Sequence, residues 1–301
     1  MTNLPVKLRD MLKTYFILHA VEPLKVAGEE RGTRKLLLGL RDGESVEAVL
    51  IPAANRRTVC VSSQVGCKFN CAFCASGMSG FRRNLETGEI IGQVLEAARV
   101  YGDKPTHVVF MGIGEPLDNY ENVLKSVRII NDQQGLCIGA RRITISTSGV
   151  IPGIQQRAGE GIQFELSVSL HAPSDELRSR LMPVNKKYPL RELIETCGKY
   201  VDKTGRIITF EYTLIRGVND SAEQARQLTS LLRPLACRVN LIPLSPVDEF
   251  EGAPSTPDAA NLFVKILAQA GINATLRDSK GSSLKAACGQ LRSTTLHHEE
   301  K

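Results

Sequence analysis

The chain has 301 residues, 42% of them hydrophobic, and a formal net charge of +6. That size and apolar content suit one large domain of α/β-barrel dimensions. No signal peptide and no uninterrupted apolar run of membrane length is present, so the eight cysteines point to a reducing, cytoplasmic setting and against structural disulfides.

In chain order, residues 5–16 are predicted to be helical, and 35–40 with 46–51 read as a hairpin around Asp42-Gly43. Thereafter apolar, β-rich runs alternate with amphipathic helical patterns, the order that builds a parallel sheet covered by helices. Strands are predicted at 58–64, 106–112, 142–148, 164–170, 207–215, 238–244 and 274–277. Between them, Glu86-Thr87-Gly88-Glu89 opens the apolar stripe Ile90, Ile91, Val94, Leu95 and Ala98, and further stripes occupy 122–130, 190–201, 223–232 and 258–270. The first six strands are expected to close into a partial (β/α)6 barrel of the TIM type. Residues 297–301 read as a frayed, charged end. The pairs Arg56-Arg57, Arg82-Arg83, Arg141-Arg142 and Lys186-Lys187 either meet a phosphate-rich partner or solvate loops.

Cys67, Cys71 and Cys74 form a C-x3-C-x2-C run that gathers three thiolates and supplies no fourth. Steps of four and three residues bring them to one side of a tight helical turn. Three thiolates on a four-iron cluster leave one iron open to a small molecule. The competing readings are a structural zinc site closed by Cys60, which would want paired spacings, and three core cysteines. Working residues of a βα barrel gather at the C-terminal ends of its strands. The cysteine run, Gly112-Ile113-Gly114-Glu115-Pro116, Ser146-Thr147-Ser148-Gly149 and Ser169-Leu170-His171 fall at four successive ends. Taken alone, the glycine loop is more often a tight strand-to-helix turn, and His171 more often a structural histidine than a catalyst.

These features together resemble the radical S-adenosylmethionine superfamily, with Phe73 before the third cysteine and the 112–116 loop after the next strand. More narrowly, Cys60-Val61-Ser62-Ser63-Gln64-Val65-Gly66-Cys67, Ser146-Thr147-Ser148-Gly149, Ser169-Leu170-His171-Ala172-Pro173, Asn185-Lys186-Lys187-Tyr188 and Ala286-Ala287-Cys288-Gly289-Gln290-Leu291 resemble the adenine-C2 RNA methyltransferases. The resemblance runs from about Thr2 to Arg292. It implies a 4Fe-4S cluster on Cys67, Cys71 and Cys74, with S-adenosylmethionine contacted by Gly114, Glu115, Ser146, Ser169, Leu170, His171 and, in place of the family's asparagine, Ser245. It implies ribosomal RNA as substrate with transfer RNA as a second candidate, a reducing electron donor such as a flavodoxin system, and no membrane. A monomer is expected.

The implied chemistry uses two further thiols. Cys288 takes a methyl group from one S-adenosylmethionine, and a 5′-deoxyadenosyl radical from a second removes hydrogen from that methyl. The carbon adds to adenine, Glu47 accepts a proton, and Cys60 attacks the Cys288 sulfur to release product through a transient disulfide. Cys137, Cys197 and Cys237 match no motif and are expected to be core thiols. The division expected is 1–51 as a helix and hairpin extension, 52–278 as the barrel, and 279–301 as the loop carrying the methyl-accepting cysteine and the tail. Residues 1–5 resemble an interior stretch of typical members, so a small accessory domain is expected to be missing ahead of them. The readings in competition are an adenine-C8 methyltransferase, a radical enzyme that activates a protein, and a zinc-stapled RNA-binding module.

Overall fold

The computed structural model describes residues 4–17, 19–277, 281 and 284–292. The expectations for the first three residues and for 297–301 lie outside the described residues. Helix α1 (Val6–Tyr15) buries none of its residues. Strands β1 (Glu22–Gly28), β2 (Arg34–Gly39) and β3 (Ser45–Ala53) form an antiparallel meander. The hairpin turn closes where Gly43 takes φ +84 and donates its N–H to the Leu40 carbonyl. β3 then pairs antiparallel with β4 (Arg56–Cys60). The meander is therefore continuous with the barrel sheet rather than a separate layer.

The strand expected at 58–64 ends earlier, at Cys60. After Cys60 the chain leaves the sheet, and Gln64–Gly66 (β5) pairs instead with β6 (Phe81–Asn84) on either side of the cysteine run and the short helix α2 (Ala75–Met78). Gly66 makes this possible. At φ +74 it lies against the Gly80 carbonyl oxygen, where any Cβ would overlap it.

From here the alternation expected from the sequence holds. In order come α3 (Thr87–Tyr101), β7 (His107–Phe110), α4 (Tyr120–Asn131), β8 (Ile143–Thr147), α5 (Ile151–Arg157), β9 (Glu165–Ser169) and α6 (Asp175–Leu181). They are followed by α7 (Leu190–Thr204), β10 (Ile208–Leu214), α8 (Ala222–Leu232), β11 (Cys237–Pro243), α9 (Pro257–Gln269) and β12 (Asn273–Leu276). β4, β7, β8, β9, β10, β11 and β12 pair in that order, each parallel to the next. The seventh strand thus joins the sheet at its edge instead of standing apart, giving a partial TIM-type barrel of α/β class.

The helices form where an apolar stripe meets a start signal. Glu86 and Glu89 build a reciprocal capping box on α3, and Ser221 with Gln224 does the same on α8. Their stripes pack on the sheet: Ile90, Val94 and Ala97 from α3; Leu190, Leu193, Cys197 and Tyr200 from α7; Ala260, Phe263 and Leu267 from α9, all buried. Each such aliphatic or aromatic side chain contributes about 1.5–3 kcal/mol through burial. β10 is buried along its whole length, as a strand covered on both faces must be. Cys197 is a core thiol as expected. Cys237 is only partly buried, and Cys137 is exposed at φ +52, so the core expectation fails there. The loop at 132–138 turns back on itself through backbone bonds and leaves the Cys137 side chain outside. Among the described residues no helix is long and apolar enough to cross a membrane.

Candidate active site

A cavity opens at the C-terminal ends of the parallel strands. With its open mouth it encloses about 970 Å³. Cys67, Cys71 and Cys74 line it together with Gly114, Glu115, Ser146, Ser169, His171, Ser245 and Cys288. Ten of the thirteen residues singled out from the sequence therefore meet in one space.

The first wall is built by local hydrogen bonds between two loops. Ser62 Oγ accepts the Ile113 N–H at 2.9 Å, Ser63 N–H donates to the Ile113 carbonyl, and Gln64 Oε1 accepts the Glu115 N–H at 2.8 Å. Gly114, at φ +97, sits so near Gln64 that a Cβ would come within 2.5 Å of its Cβ. These bonds fix the glycine loop against the root of the cysteine run. The Glu115 carboxylate accepts the Leu117 N–H at 3.0 Å and the Ser148 N–H at 2.6 Å. Burial raises its pKa while those donors oppose the rise.

The second wall is organised by Arg178, a fully buried arginine with no carboxylate at hydrogen-bond distance among the described residues. Its guanidinium donates to the carbonyls of Leu170 at 3.1 Å, Ser148 at 2.7 Å and Ser169 at 3.1 Å, and to Asn185 Oδ1 at 2.9 Å. One side chain thus ties the ends of β8 and β9 to the 183–186 turn. Leu170 itself does not line the cavity; it is completely buried, and its carbonyl is taken by Arg178. Burial lowers the Arg178 pKa to about 10, so it stays cationic at neutral pH.

His171 stands at φ +58, held there by two bonds. Its Nδ1 accepts the Thr213 N–H at 2.9 Å, and its carbonyl accepts from Asn219 Nδ2 at 2.8 Å. Burial, with the Arg178 charge beside it, pushes its pKa down to about 3. The ring is therefore neutral, with its proton on Nε2, and can donate rather than act as a base. Phe73 packs on it edge to face, with ring centroids 4.9 Å apart.

The chain's C-terminal segment closes the site. Gly289 accepts the Ala75 N–H through its carbonyl at 2.7 Å, and Leu291 accepts from Ser76 Oγ at 2.8 Å. Cys288 is thereby laid onto the helix that follows the cysteine run. Its surface opens into the cavity, but the surrounding walls desolvate it and push its thiol up to about 11, with Glu211 adding to the rise. Cys60, at the end of β4, is buried and does not line the cavity. Burial pushes its thiol up to about 12, and Cys288 is the foremost charge acting on it, so the two sulfurs lie within electrostatic reach. All eight cysteines are free thiols. Glu47 lies outside the cavity: Oε1 pairs with Lys35 Nζ at 2.8 Å and Oε2 accepts the Arg292 N–H at 3.0 Å.

Three cysteines converging on a cavity fit a cluster that binds thiolates. Burial pushes Cys67 up to about 12 and raises Cys71 well above the usual thiol range, so ionised sulfurs here call for a compensating cation. A structural zinc site would want four closing ligands in paired spacings, whereas the thiols that line this cavity beside the run's three include only Cys288, from the far end of the sequence. Sequence reasoning missed Arg178 and Glu211. Glu211, a buried carboxylate in the cavity bonded to Asn240 Nδ2 at 3.0 Å, carried one signal: an acid between Phe210 and Tyr212 in an otherwise uncharged strand. Arg178 carried none, because a helical arginine is ordinarily a surface residue.

The chain is similar to known proteins along nearly its full length. The model of the radical SAM superfamily matches residues 61–229, more than half of it. A protein of Dictyoglomus thermophilum named probable dual-specificity RNA methyltransferase RlmN is 50% identical over 299 residues, covering 98% of this chain and 86% of that protein. Its namesake from Moorella thermoacetica is 50% identical over 303 residues, covering 97% and 85%. The crystal structure of a radical SAM methyltransferase from Sphaerobacter thermophilus superposes with a TM-score of 0.94 at 48% identity, covering 97% of this chain and 86% of that one.

Proposed function

Because the chain belongs to the radical S-adenosylmethionine superfamily and, within it, to the dual-specificity RNA methyltransferases, we propose that it methylates C2 of an adenosine in large-subunit ribosomal RNA, with transfer RNA as a second substrate. The observation that carries the reading is the meeting of Cys288 with Cys67, Cys71 and Cys74 in one cavity. A cysteine delivered from the far end of the sequence to a cluster-binding loop has a use in group transfer that neither electron storage nor protein activation gives it.

Cys67, Cys71 and Cys74 would hold a 4Fe-4S cluster, and Gly114, Glu115, Ser146, Ser169 and His171 would bind S-adenosylmethionine; together the two groups supply radical chemistry able to take hydrogen from an unactivated methyl. Glu115 offers the cofactor's ammonium a buried carboxylate. His171 offers a neutral N–H donor and, with Phe73, an aromatic wall. Ser245, 5% exposed at the end of β11, offers a hydroxyl where relatives would use an amide.

Cys288 accepts the methyl as a thioether, losing its thiol proton, and presents that carbon to adenine. Glu47 accepts the proton lost from C2; its carboxylate accepts the N–H of Arg292, the residue four along from Cys288, which supports the role. Cys60 attacks the Cys288 sulfur, an S–S bond forming as the sulfur–carbon bond breaks. The freed carbon takes up a proton to become the product methyl, the one excess electron passes back to the oxidised electron donor, and an external two-electron thiol reductant reopens the disulfide. Anaerobic incubation of the cluster-loaded protein with S-adenosylmethionine, reductant and ribosomal RNA, followed by chromatographic and mass analysis of nucleosides, tests the reading. Product that runs with 2-methyladenosine supports it, and product that runs with 8-methyladenosine replaces it by the C8 reaction.

A further inference from the structure

Lys187 and Tyr188 have no task in the catalytic cavity. With Lys68, Phe69, Asp118 and Val184 they line a second groove of about 680 Å³ including its open mouth. Phe69 is a wall of both spaces, so the groove adjoins the cavity that holds Cys288. Asp118 follows β7 and the 183–188 turn follows β9 and α6, which puts the groove on the same rim of the barrel. Its floor is fixed in advance. Asn185, which anchors the turn, accepts from Arg178 and donates to Asp175 Oδ1 at 2.8 Å.

We propose that this groove receives the RNA nucleotide next to the target adenosine, its base stacking on Tyr188 and Phe69 and its phosphate meeting Lys187; this rests on the RNA-methyltransferase reading above. An adenine that reaches Cys288 must leave its stack, and its neighbour then lacks a stacking partner. Aromatic faces beside a cationic edge replace that partner and tolerate any base. The charges agree. Lys68 is committed to Asp118 at 2.5 Å, but Lys187 and the adjacent exposed Lys186 have no carboxylate partner among the described residues. Lys187 Nζ lies 5.3 Å from the Tyr188 ring centroid, a contact that a base can take over while the flexible ammonium moves to a phosphate. A concave groove lined by two aromatic side chains suits one base better than the broad face of an acidic protein.

The test uses the cluster-loaded full chain and a labelled oligoadenylate, read by fluorescence anisotropy across a salt series. Tyr188→Leu is expected to weaken binding about ten-fold, while Tyr188→Phe, which keeps the ring, retains it. Lys187→Gln is expected to lower the slope of log affinity against log salt by about 0.7. Cluster absorbance is read on every variant. Wild-type affinity and salt slope in Tyr188→Leu and Lys187→Gln would overturn the proposal, as would losses that occur only together with lost cluster absorbance. Variants that keep RNA affinity but lose binding to a reduced flavodoxin would overturn it in favour of an acidic reductant. A wild-type chain with no affinity for RNA would instead remove the methyltransferase reading on which the proposal stands.

Discussion

The Arg292 backbone N–H donates to Glu47 Oε2 at 3.0 Å across 245 residues of sequence, joining the hairpin strand β3 to the segment that carries Cys288. The same carboxylate pairs with Lys35, so Glu47 is both an anchor and an ionised group at the edge of the site. Glu47→Gln keeps an acceptor for the Arg292 N–H and loses the charge. Stability is expected to fall by no more than about 1 kcal/mol while RNA methylation slows about a hundred-fold. Initial rates of labelled methyl transfer, set beside a urea titration, check this, and an unaltered rate would leave Glu47 an anchor alone.

The two thiols near one another are expected to fail at different stages. Cys288→Ala takes up no methyl and leaves RNA unmodified. Cys60→Ala still takes up methyl, shown as a mass increase of the intact protein, and then stalls with RNA covalently attached. Denaturing electrophoresis of each variant after incubation with RNA checks this. Free methylated RNA from Cys60→Ala would remove Cys60 from the release step.

Arg178 donates to three backbone carbonyls, those of Ser148, Ser169 and Leu170, the last of which also accepts the Ala172 N–H at 2.8 Å. Arg178→Met removes that shared donor from all three and is expected to cost about 3 kcal/mol. Lysine cannot restore the fork of bonds, so Arg178→Lys should recover little of the loss. Chemical denaturation gives the stability, and equilibrium dialysis with S-adenosylmethionine tests whether the β8 and β9 ends lose the cofactor. Full affinity in Arg178→Met would show that those ends hold their shape unaided.

His171 is expected to make stability fall in acid. The unfolded chain takes up its proton near pH 6.5, whereas the folded chain refuses it until about pH 3. Stability from this group is complete above pH 6.5 and declines as the pH drops through that window, by up to about 1.4 kcal/mol per pH unit. Denaturation midpoints measured over the window should flatten in His171→Gln. An equal slope in both proteins would mean that the folded ring charges as readily as the unfolded one.

Gly66→Ala puts a Cβ onto the Gly80 carbonyl oxygen at a φ that side chains resist. The pairing of β5 with β6 is expected to open, with a loss of at least about 2 kcal/mol and of iron binding after anaerobic reconstitution. Iron and sulfide analysis of the reconstituted variant checks it. Wild-type iron content would show that the cysteine run does not depend on that closure.

Wherever a feature is local in the chain, the sequence by itself determined it. The spacing of Cys67, Cys71 and Cys74, the glycine loop at 112–116, the stripes of α3 and α7 and the strand order of the barrel all follow from neighbours a few residues apart. Strand ends gather in a βα barrel, so the site's location followed from the same reading. Even so, the strand expected at 58–64 overran, because the backbone turns away after Cys60 and lets Gln64–Gly66 pair across the cysteine run.

Only the tertiary structure decided which distant groups meet. It put Cys288 in the cavity through the bond from Ala75 to Gly289, withdrew Glu47 to Lys35 and Arg292, and covered Leu170 behind Arg178. It turned Arg178 inward and set Glu211 beside Cys288, where a buried charge shifts a thiol that the sequence shows as one cysteine among eight. Periodicity records which face of an element is apolar. It carries no record of which polar group on another element will satisfy a buried donor, because that match depends on ångström distances between segments that share no sequence neighbourhood.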